Sequence, residues 1–306
     1  MQREQPNSGS EPSGLGVWSP PVSHLNWSST TPDDVDDLVR LGQACLDRDG
    51  GLPDVADPEH LQKVFVTNTA ICGRDELGEI VAAAAVGRNG AGERIAAALV
   101  DPAVMGRGIG EELAAWVDEH SGGPVSLVMD SMSPEAERLF SRLGLRRVLA
   151  ETVMCHPMRA IPNVRLPENI LTIPFTDDTS EAFQHAYTAS FCDQPGYDAS
   201  SAQAWGRWLR EQRGFQPEDS RVALDRDGHV AGFVTISKNW IEEVGVVPAW
   251  RGRGLGAHLI ARSLTAISKR GASLTWLAVG CDNPARTLYQ RLGFRDCGTR
   301  ALYERG

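Results

Sequence analysis

The sequence predicts a mixed α/β fold, with a mixed sheet of the α+β kind, built twice in one chain. Three observations carry it. An apolar strand ending at Val247 meets Pro248, a glycine-punctuated turn follows, and an amphipathic helix starts near Gly254. That stretch has an earlier copy: Pro102, Gly108 and Gly110 precede Pro248, Gly254 and Gly256 by 146 positions each. A second segment repeats too, with Pro134–Leu145 lying 149 positions before Asn283–Phe294. Self-similarity at this scale marks a duplicated domain.

The elements follow in order. Residues 1–19 are rich in Gln, Ser, Pro and Gly, and are expected to form a disordered tail rather than a signal peptide. The first copy is assigned to residues 20–156. A strand near His24–Ser29 precedes a helix over Asp33–Asp47, which Thr31 and Pro32 open with capping chemistry. Strands are expected at Ile80–Val86 and Arg94–Val100. The glycine turn, a helix to His120, a strand Val125–Met129 and a short helix from Pro134 come next, and a strand at Leu149–Met154 closes this half. Pro157, Pro162 and Pro167 stiffen a linker over residues 157–168.

The second copy spans residues 169–306. It opens with a strand at Leu171–Phe175 and a helix over Thr179–Phe191. A turn-rich loop reaches Tyr197, and a helix over Ser201–Arg213 sets Trp205 and Trp208 on one face. Strands Arg221–Leu224 and Val230–Ile236 flank a hairpin turn at Asp225–Gly228. Strands at Trp240–Val247, Leu274–Val279 and Gly298–Tyr303 complete the copy.

Composition narrows the function. The chain has 306 residues, room for one large or two ordinary domains. A net charge of −10 argues against nucleic acid or an anionic membrane as the main partner. No apolar run is long enough to span a bilayer. Cysteines 45, 72, 155, 192, 281 and 297 show no C-x-x-C spacing and read as reduced thiols, not zinc ligands or a disulfide frame. The histidines lack paired metal-ligand spacing, so no metal is expected. The expected setting is cytoplasmic, where the Asn26-Trp27-Ser28 sequon would be silent, and the expected state is a monomer or weak homodimer.

The stretch Arg251–Gly256 carries the chemistry. Its backbone N–H groups open at a helix N-terminus, where unpaired donors and the positive end of the helix dipole favour an anion. Gly252, Gly254 and Gly256 let that anion approach the backbone, Leu255 starts the helix, and Arg251 and Arg253 add charge. A Walker loop would need Lys-Ser/Thr where Ala257-His258 stands, and a dinucleotide fingerprint would need wider glycine spacing.

Arg251-x-x-Gly254-x-Gly256 after a Val-x-Pro strand end resembles the acyl-CoA pyrophosphate loop of the GNAT acetyltransferase superfamily. Asn283, Leu288-Tyr289 and Gly293-Phe294 resemble that superfamily's "N…LY…GF" helix, which Asn283 can cap and Gly293 can end. The resemblance spans about residues 20–306 and implies two tandem GNAT-like acyl-CoA N-acyltransferase domains with acetyl-CoA as co-substrate. The duplication and the Pro157–Pro162 linker are also similar to those of the mycothiol synthases. Those enzymes acetylate the cysteinyl amine of a glucosaminyl-inositol conjugate with their C-terminal half.

By that resemblance the anion loop binds the CoA pyrophosphate. Backbone around Val244 and Val246 polarises the thioester, Asn283 meets the CoA arm, and Tyr289 protonates the leaving sulfur. The acceptor amine must lose a proton, which for a lysine-like amine costs roughly 4 to 5 kcal/mol at pH 7. Glu242 and Glu243 are the candidate bases. The family's base position holds Trp240 here, a departure. Glu242 shares strand parity with Trp240 and is preferred, unless a bulge reverses the choice. Asp193 and Trp240 are placed at the acceptor pocket.

The copies are unequal. Arg251 corresponds to Met105, Ala257 and His258 to Glu111 and Glu112, and Tyr289 to Phe140. The C-terminal copy is therefore expected to be catalytic and the N-terminal copy degenerate. A small-molecule amine is the expected acceptor, with antibiotic or amino-acid amines as the alternative. A CoA-binding sensor without turnover and a protein-lysine acetyltransferase also stay open.

Overall fold

The structure, a computed structural model, describes residues 24–193, 205, 209, 211 and 214–305. The expected tail (1–19) and most of the expected helix 201–213, Trp208 included, lie outside the described residues. Among those described, no helix is long and apolar enough to cross a membrane.

The first copy contributes strands β1 (Asn26–Ser29), β2 (Thr69–Arg74), β3 (Ile80–Arg88), β4 (Arg94–Val100), β5 (Ser126–Met129) and β6 (Leu145–His156). Its helices are α1 (Val35–Asp49), the short α2 (Pro58–Leu61), α3 (Ile109–His120) and α4 (Pro134–Arg142). The second copy contributes β7 (Ile170–Pro174), β8 (Arg221–Asp225), β9 (Val230–Ser237), β10 (Trp240–Val246), β11 (Thr275–Gly280) and β12 (Arg295–Arg305). Its described helices include α5 (Ser180–Phe191), α6 (Leu255–Lys269) and α7 (Ala285–Arg291). The sequence reading missed β2 and α2.

Strand alternation explains the layering. On β3, Ala83 and Ala85 pack toward α1 with Leu38, Leu41 and Leu99. Ala82, Ala84 and Val86 pack toward α3 with Leu113, Trp116 and Val117. In the second copy Val222 and Phe233 pack toward α5 with Phe183 and Trp205. Ala223, Val234 and Ile236 meet Leu255, Leu259 and Ile260 of α6 on the opposite face.

All twelve strands form one sheet in the order β1-β2-β3-β4-β5-β12-β6-β11-β10-β9-β8-β7. The two copies exchange their closing strands. β12 pairs antiparallel with β5 of the first copy, β6 pairs antiparallel with β11 of the second, and β6 and β12 pair with each other. The expectation that β6 closes its own half is therefore corrected. Spacing along a chain shows where a strand lies but not which sheet edge it joins. The cysteine reading is corrected by the same exchange, because Cys155 on β6 and Cys297 on β12 are joined as a disulfide across 142 residues.

The exchange puts first-copy side chains into the second copy's core. Met154 is fully buried among α6 and α7 residues, a burial that stabilises by roughly 2 kcal/mol. His156 is 1% exposed, its ring 5.2 Å from that of Phe294. Its Nδ1 accepts from the Met158 N–H at 3.1 Å, and its ring also bonds the backbone of Leu292 at the end of α7. Burial holds its pKa below the ordinary value, against that Leu292 bond.

A depressed histidine pKa gives stability that is full above the unfolded-state value, about 6.5, and is lost as pH falls through the folded one. The urea midpoint should therefore drop between pH 7 and pH 5, and drop less in His156→Gln. An unchanged slope in the variant would remove His156 as the responsible group.

Candidate active site

β10 ends before Pro248, and the turn that follows is built by glycines. Gly252 has φ +74° and Gly254 φ +85°, and a Cβ at either would meet nothing within 4 Å. Left-handed backbone with open space outside is where glycine serves an approaching group rather than packing. Gly254 is the N-cap of α6, and no side chain caps it. Leu255 is buried beneath the turn. A Cβ on Gly256 would lie 3.4 Å from Val246 and 3.7 Å from Leu288 of α7, so the loop is seated on both elements. The loop in the first copy keeps this backbone, with φ +80° at Gly106 and +85° at Gly108.

Beside the loop the sheet opens. β10 and β11 are parallel, and their register consists of the single pair Trp240↔Trp276. Beyond it the strands splay, leaving backbone N–H and C=O groups without ladder partners. A buried polar group left unpaired costs about 1–3 kcal/mol, so such a splay suits a ligand that supplies partners. The Trp240 and Trp276 rings stack at 6.1 Å and fasten the closed end of the cleft. Trp240, expected at the acceptor pocket, has this fastening contact.

The bulge left open by the sequence is present. Pairing of β10 with β9 shifts between Ile241 and Glu243, so Glu242 is the extra residue and Glu243 re-enters register opposite Thr235. A bulge re-aims the side chains that follow it, and the parity reasoning that favoured Glu242 fails. Glu243 is half-buried, and its pKa is pushed up to about 7, by burial first and then by the charges of Glu242 and Glu151. Tyr289 is 7% exposed. Its phenol is pushed up to about 12, by burial first and then by the Glu243 charge. The Tyr289 phenol therefore senses the charge of Glu243.

Glu151 had no place in the sequence reading. It enters through the exchanged strand β6, which sets it opposite Gly280 at the end of β11, and Arg300 of β12 holds it at 2.5 Å. Only the tertiary pairing could reveal it.

Other expected residues are placed as follows. Val244 and Val246 pack on the α6 side of β10. Asn283 Oδ1 accepts from the Ala285 N–H at 2.9 Å and so opens α7. Arg253 lies over the Trp250 ring, 4.9 Å from its centre. Arg251 and Asp193, expected on different ligands, are brought to each other. Arg251 donates to both Asp193 carboxylate oxygens, at 2.6 and 2.9 Å, and to the carbonyls of Val246 and Ser190. That guanidinium holds the Asp193 carboxyl below the usual carboxylate range. The pair ties the loop to the end of α5. Asp225, Asp227 and His229 gather within 4.8 Å of one another, on the hairpin turn where Asp225 Oδ1 accepts the Asp227 and His229 N–H groups.

Residues 177–294 match the Acetyltransferase (GNAT) family profile. This segment is a GNAT acetyltransferase domain. Along the whole chain, similarity extends to a mycothiol acetyltransferase of Clavibacter michiganensis subsp. michiganensis. The two are 27% identical over 305 residues, covering 94% of this chain and 96% of the relative. A GCN5-related N-acetyltransferase from Sphaerobacter thermophilus superposes with a TM-score of 0.70 at 24% identity, over 92% of this chain and 95% of the other. A tandem GNAT protein from the clavulanic acid biosynthesis pathway superposes with a TM-score of 0.60 at 16% identity, over 92% and 99%. The chain is an acyltransferase with the mixed-sheet GNAT fold, and enzymes of this family use acetyl-CoA as co-substrate.

The GNAT site in the second copy differs from its counterpart in the first. Phe140, buried, packs 4.8 Å from the Tyr303 ring in place of Tyr289. Arg142 pairs with Glu111 at 2.5 Å beside the first loop. A cavity of about 320 Å³ there is walled largely by Ala96–Val100, Leu113, Val117 and Phe140.

Glu243 gives a stability test apart from activity. A carboxyl whose folded pKa is raised loses stability as pH climbs from its unfolded value toward the folded one. Glu243→Gln should therefore have a higher urea midpoint than wild type at pH 8, with the gap closing toward pH 4. A lower midpoint at pH 8 would contradict the strained carboxylate.

Proposed function

We propose that the C-terminal copy transfers the acetyl group of acetyl-CoA to a primary amine of a small molecule, and that the N-terminal copy is structural. The observation that carries this reading is the splay of β10 from β11 beside Glu243, whose charge reaches the buried phenol of Tyr289. Acetyl-CoA supplies the activated acetyl thioester. The open backbone of Arg251–Gly256 fits its pyrophosphate, with Arg253 adding charge and Arg251 shaping the loop through its bonds to Val246 and Ser190. Backbone along Val244–Val246 faces the thioester oxygen, where negative charge develops. Asn283, its carboxamide oxygen taken by Ala285, has its NH2 group for the CoA arm.

Glu243 is the general base in this proposal, in place of Glu242. Magnitudes favour an α-amine as acceptor. Moving a proton from an ε-amine, pKa about 10.4, to a carboxylate near 7 costs roughly 4 to 5 kcal/mol, whereas an α-amine near 8 costs about 1 to 2. Tyr289 holds its proton at every working pH and delivers it to the leaving sulfur. The same desolvation that raises the phenol raises the proton affinity of a thiolate formed beside it. Glu151, held by Arg300, keeps the Glu243 pKa high. Among α-amines, the cysteinyl amine of a glucosaminyl-inositol conjugate is the leading candidate, supported by the mycothiol acetyltransferase related along 94% of the chain.

The test is CoA release from acetyl-CoA with cysteinyl-glucosaminyl-inositol, free amino acids, polyamines and aminoglycosides as acceptors. Release with the first alone supports the specific reading. Release with another amine keeps the enzyme and replaces the acceptor, and binding of acetyl-CoA without release with any amine would favour a sensor. For the residues, kcat/KM should rise with pH through about 7 as Glu243 ionises. Glu243→Gln should lose about 10²–10⁴-fold and that limb, and Glu151→Gln should move the limb to lower pH. Tyr289→Phe should lower kcat, and Glu242→Gln should change it less than about threefold. A large loss in Glu242→Gln with an intact limb in Glu243→Gln would reverse the assignment.

A further inference from the structure

The face of α6 turned away from the active site lines a separate cleft of about 780 Å³, closed on one side by the linker at Ile161–Val164. The linker is seated there by Ile161 and Val164, which pack on the α6 core, and by the His258 ring, whose Nδ1 lies 2.7 Å from the Val164 carbonyl. The cleft is unusual for its charge. Arg262 lines it, half-buried, and no carboxylate among the described residues is within ion-pair distance of it. Arg221, the first residue of β8, falls by strand alternation on the same face as Ala223, which packs toward α6. Its Nε is buried and has no hydrogen-bond partner.

Two half-buried guanidiniums thus lie on one face, near enough for the charge of Arg262 to act on Arg221. Burial, and then the charge of Arg262, holds the Arg221 pKa below the usual range, against the charge of Glu218. Burial also lowers Arg262. Lys269 adds positive charge at the cleft. Asp219, the acid lining it, is already taken by an ion pair with Arg270. This basic face belongs to a chain of net charge −10. Neighbouring guanidiniums without an ion-paired carboxylate favour an oxyanion, and Arg262 can grip two oxygens of a carboxylate or phosphate through two N–H groups.

We propose that the cleft between α6 and the linker is a binding site for a small oxyanion, the phosphate or carboxylate group of a metabolite, with Arg262 as its ligand and the charge of Arg221 behind it. The site is distinct from the acetyl-CoA loop, which lies at the N-terminus of α6, two turns before Arg262. It does not rest on the choice of acceptor or base.

The test is the thermal midpoint of the full chain against inorganic phosphate, and separately against succinate. Ionic strength is held constant with chloride, and CoA is present throughout to fill the pyrophosphate loop. Wild type should show a saturable rise of about 3 °C or more with one of the two anions, as binding to the folded state alone requires. Arg262→Gln should lose the rise. Without added anion its midpoint should equal or exceed that of wild type, because the repulsion is gone. Arg262→Lys, which keeps the charge and the stem, should show a rise at higher anion concentration. A response to phosphate assigns a phosphate ester and a response to succinate a carboxylate. No saturable rise in wild type, or an equal rise in Arg262→Gln, would overturn the site.

Discussion

β6 and β12 run antiparallel beside each other, and each also completes the edge of the other copy's strands. Every later feature of the molecule depends on this double pairing. Without it each copy would expose a sheet edge, and the backbone groups along that edge would need another partner. With it the copies share one sheet, Met154 fills the second copy's core, and His156 supports the end of the helix that carries Tyr289. A duplicated chain has in this way become interdependent rather than two modules on a string.

The proposed active site is made from places where the sheet stops being regular. The single β10–β11 pair opens a cleft, the bulge at Glu242 re-aims Glu243, and left-handed glycines bare the backbone at the head of α6. Each irregularity has a regular element beside it that holds the geometry. The stacked tryptophans close the cleft, β9 resumes register with Glu243, and Arg251 ties the loop to α5 through Asp193 and Ser190. Local cost is concentrated where chemistry is needed, and packing elsewhere offsets it.

The carboxylates show the same balance. Glu151, Glu242 and Glu243 stand close enough that their charges oppose ionisation of Glu243. For stability alone this crowding is unfavourable. For the proposed proton transfer it suits a carboxylate, raising its pKa toward neutral pH. Arg300 keeps Glu151 in place, so the tuning reaches the second copy through a strand of the first. The first copy, with Phe140 where the phenol would be and Glu111 paired to Arg142, retains the loop geometry without the second copy's proton-bearing groups.

What the sequence determined by itself was local and periodic. The repeat at 146 positions, the turns at Gly106–Gly110 and Gly252–Gly256, the alternation along β3 and the helices bearing Tyr289 and Phe140 were legible because neighbours in the chain dictate them. The tertiary structure alone decided which edge each closing strand joins, and so the Cys155–Cys297 link and the presence of Glu151. It also decided the bulge at Glu242, and the meeting of Arg251 with Asp193. The physical reason is common to all of these. Strand pairing and side-chain charge contacts act between segments far apart in the chain, and a strand of given hydrophobic pattern satisfies its backbone equally well on more than one edge.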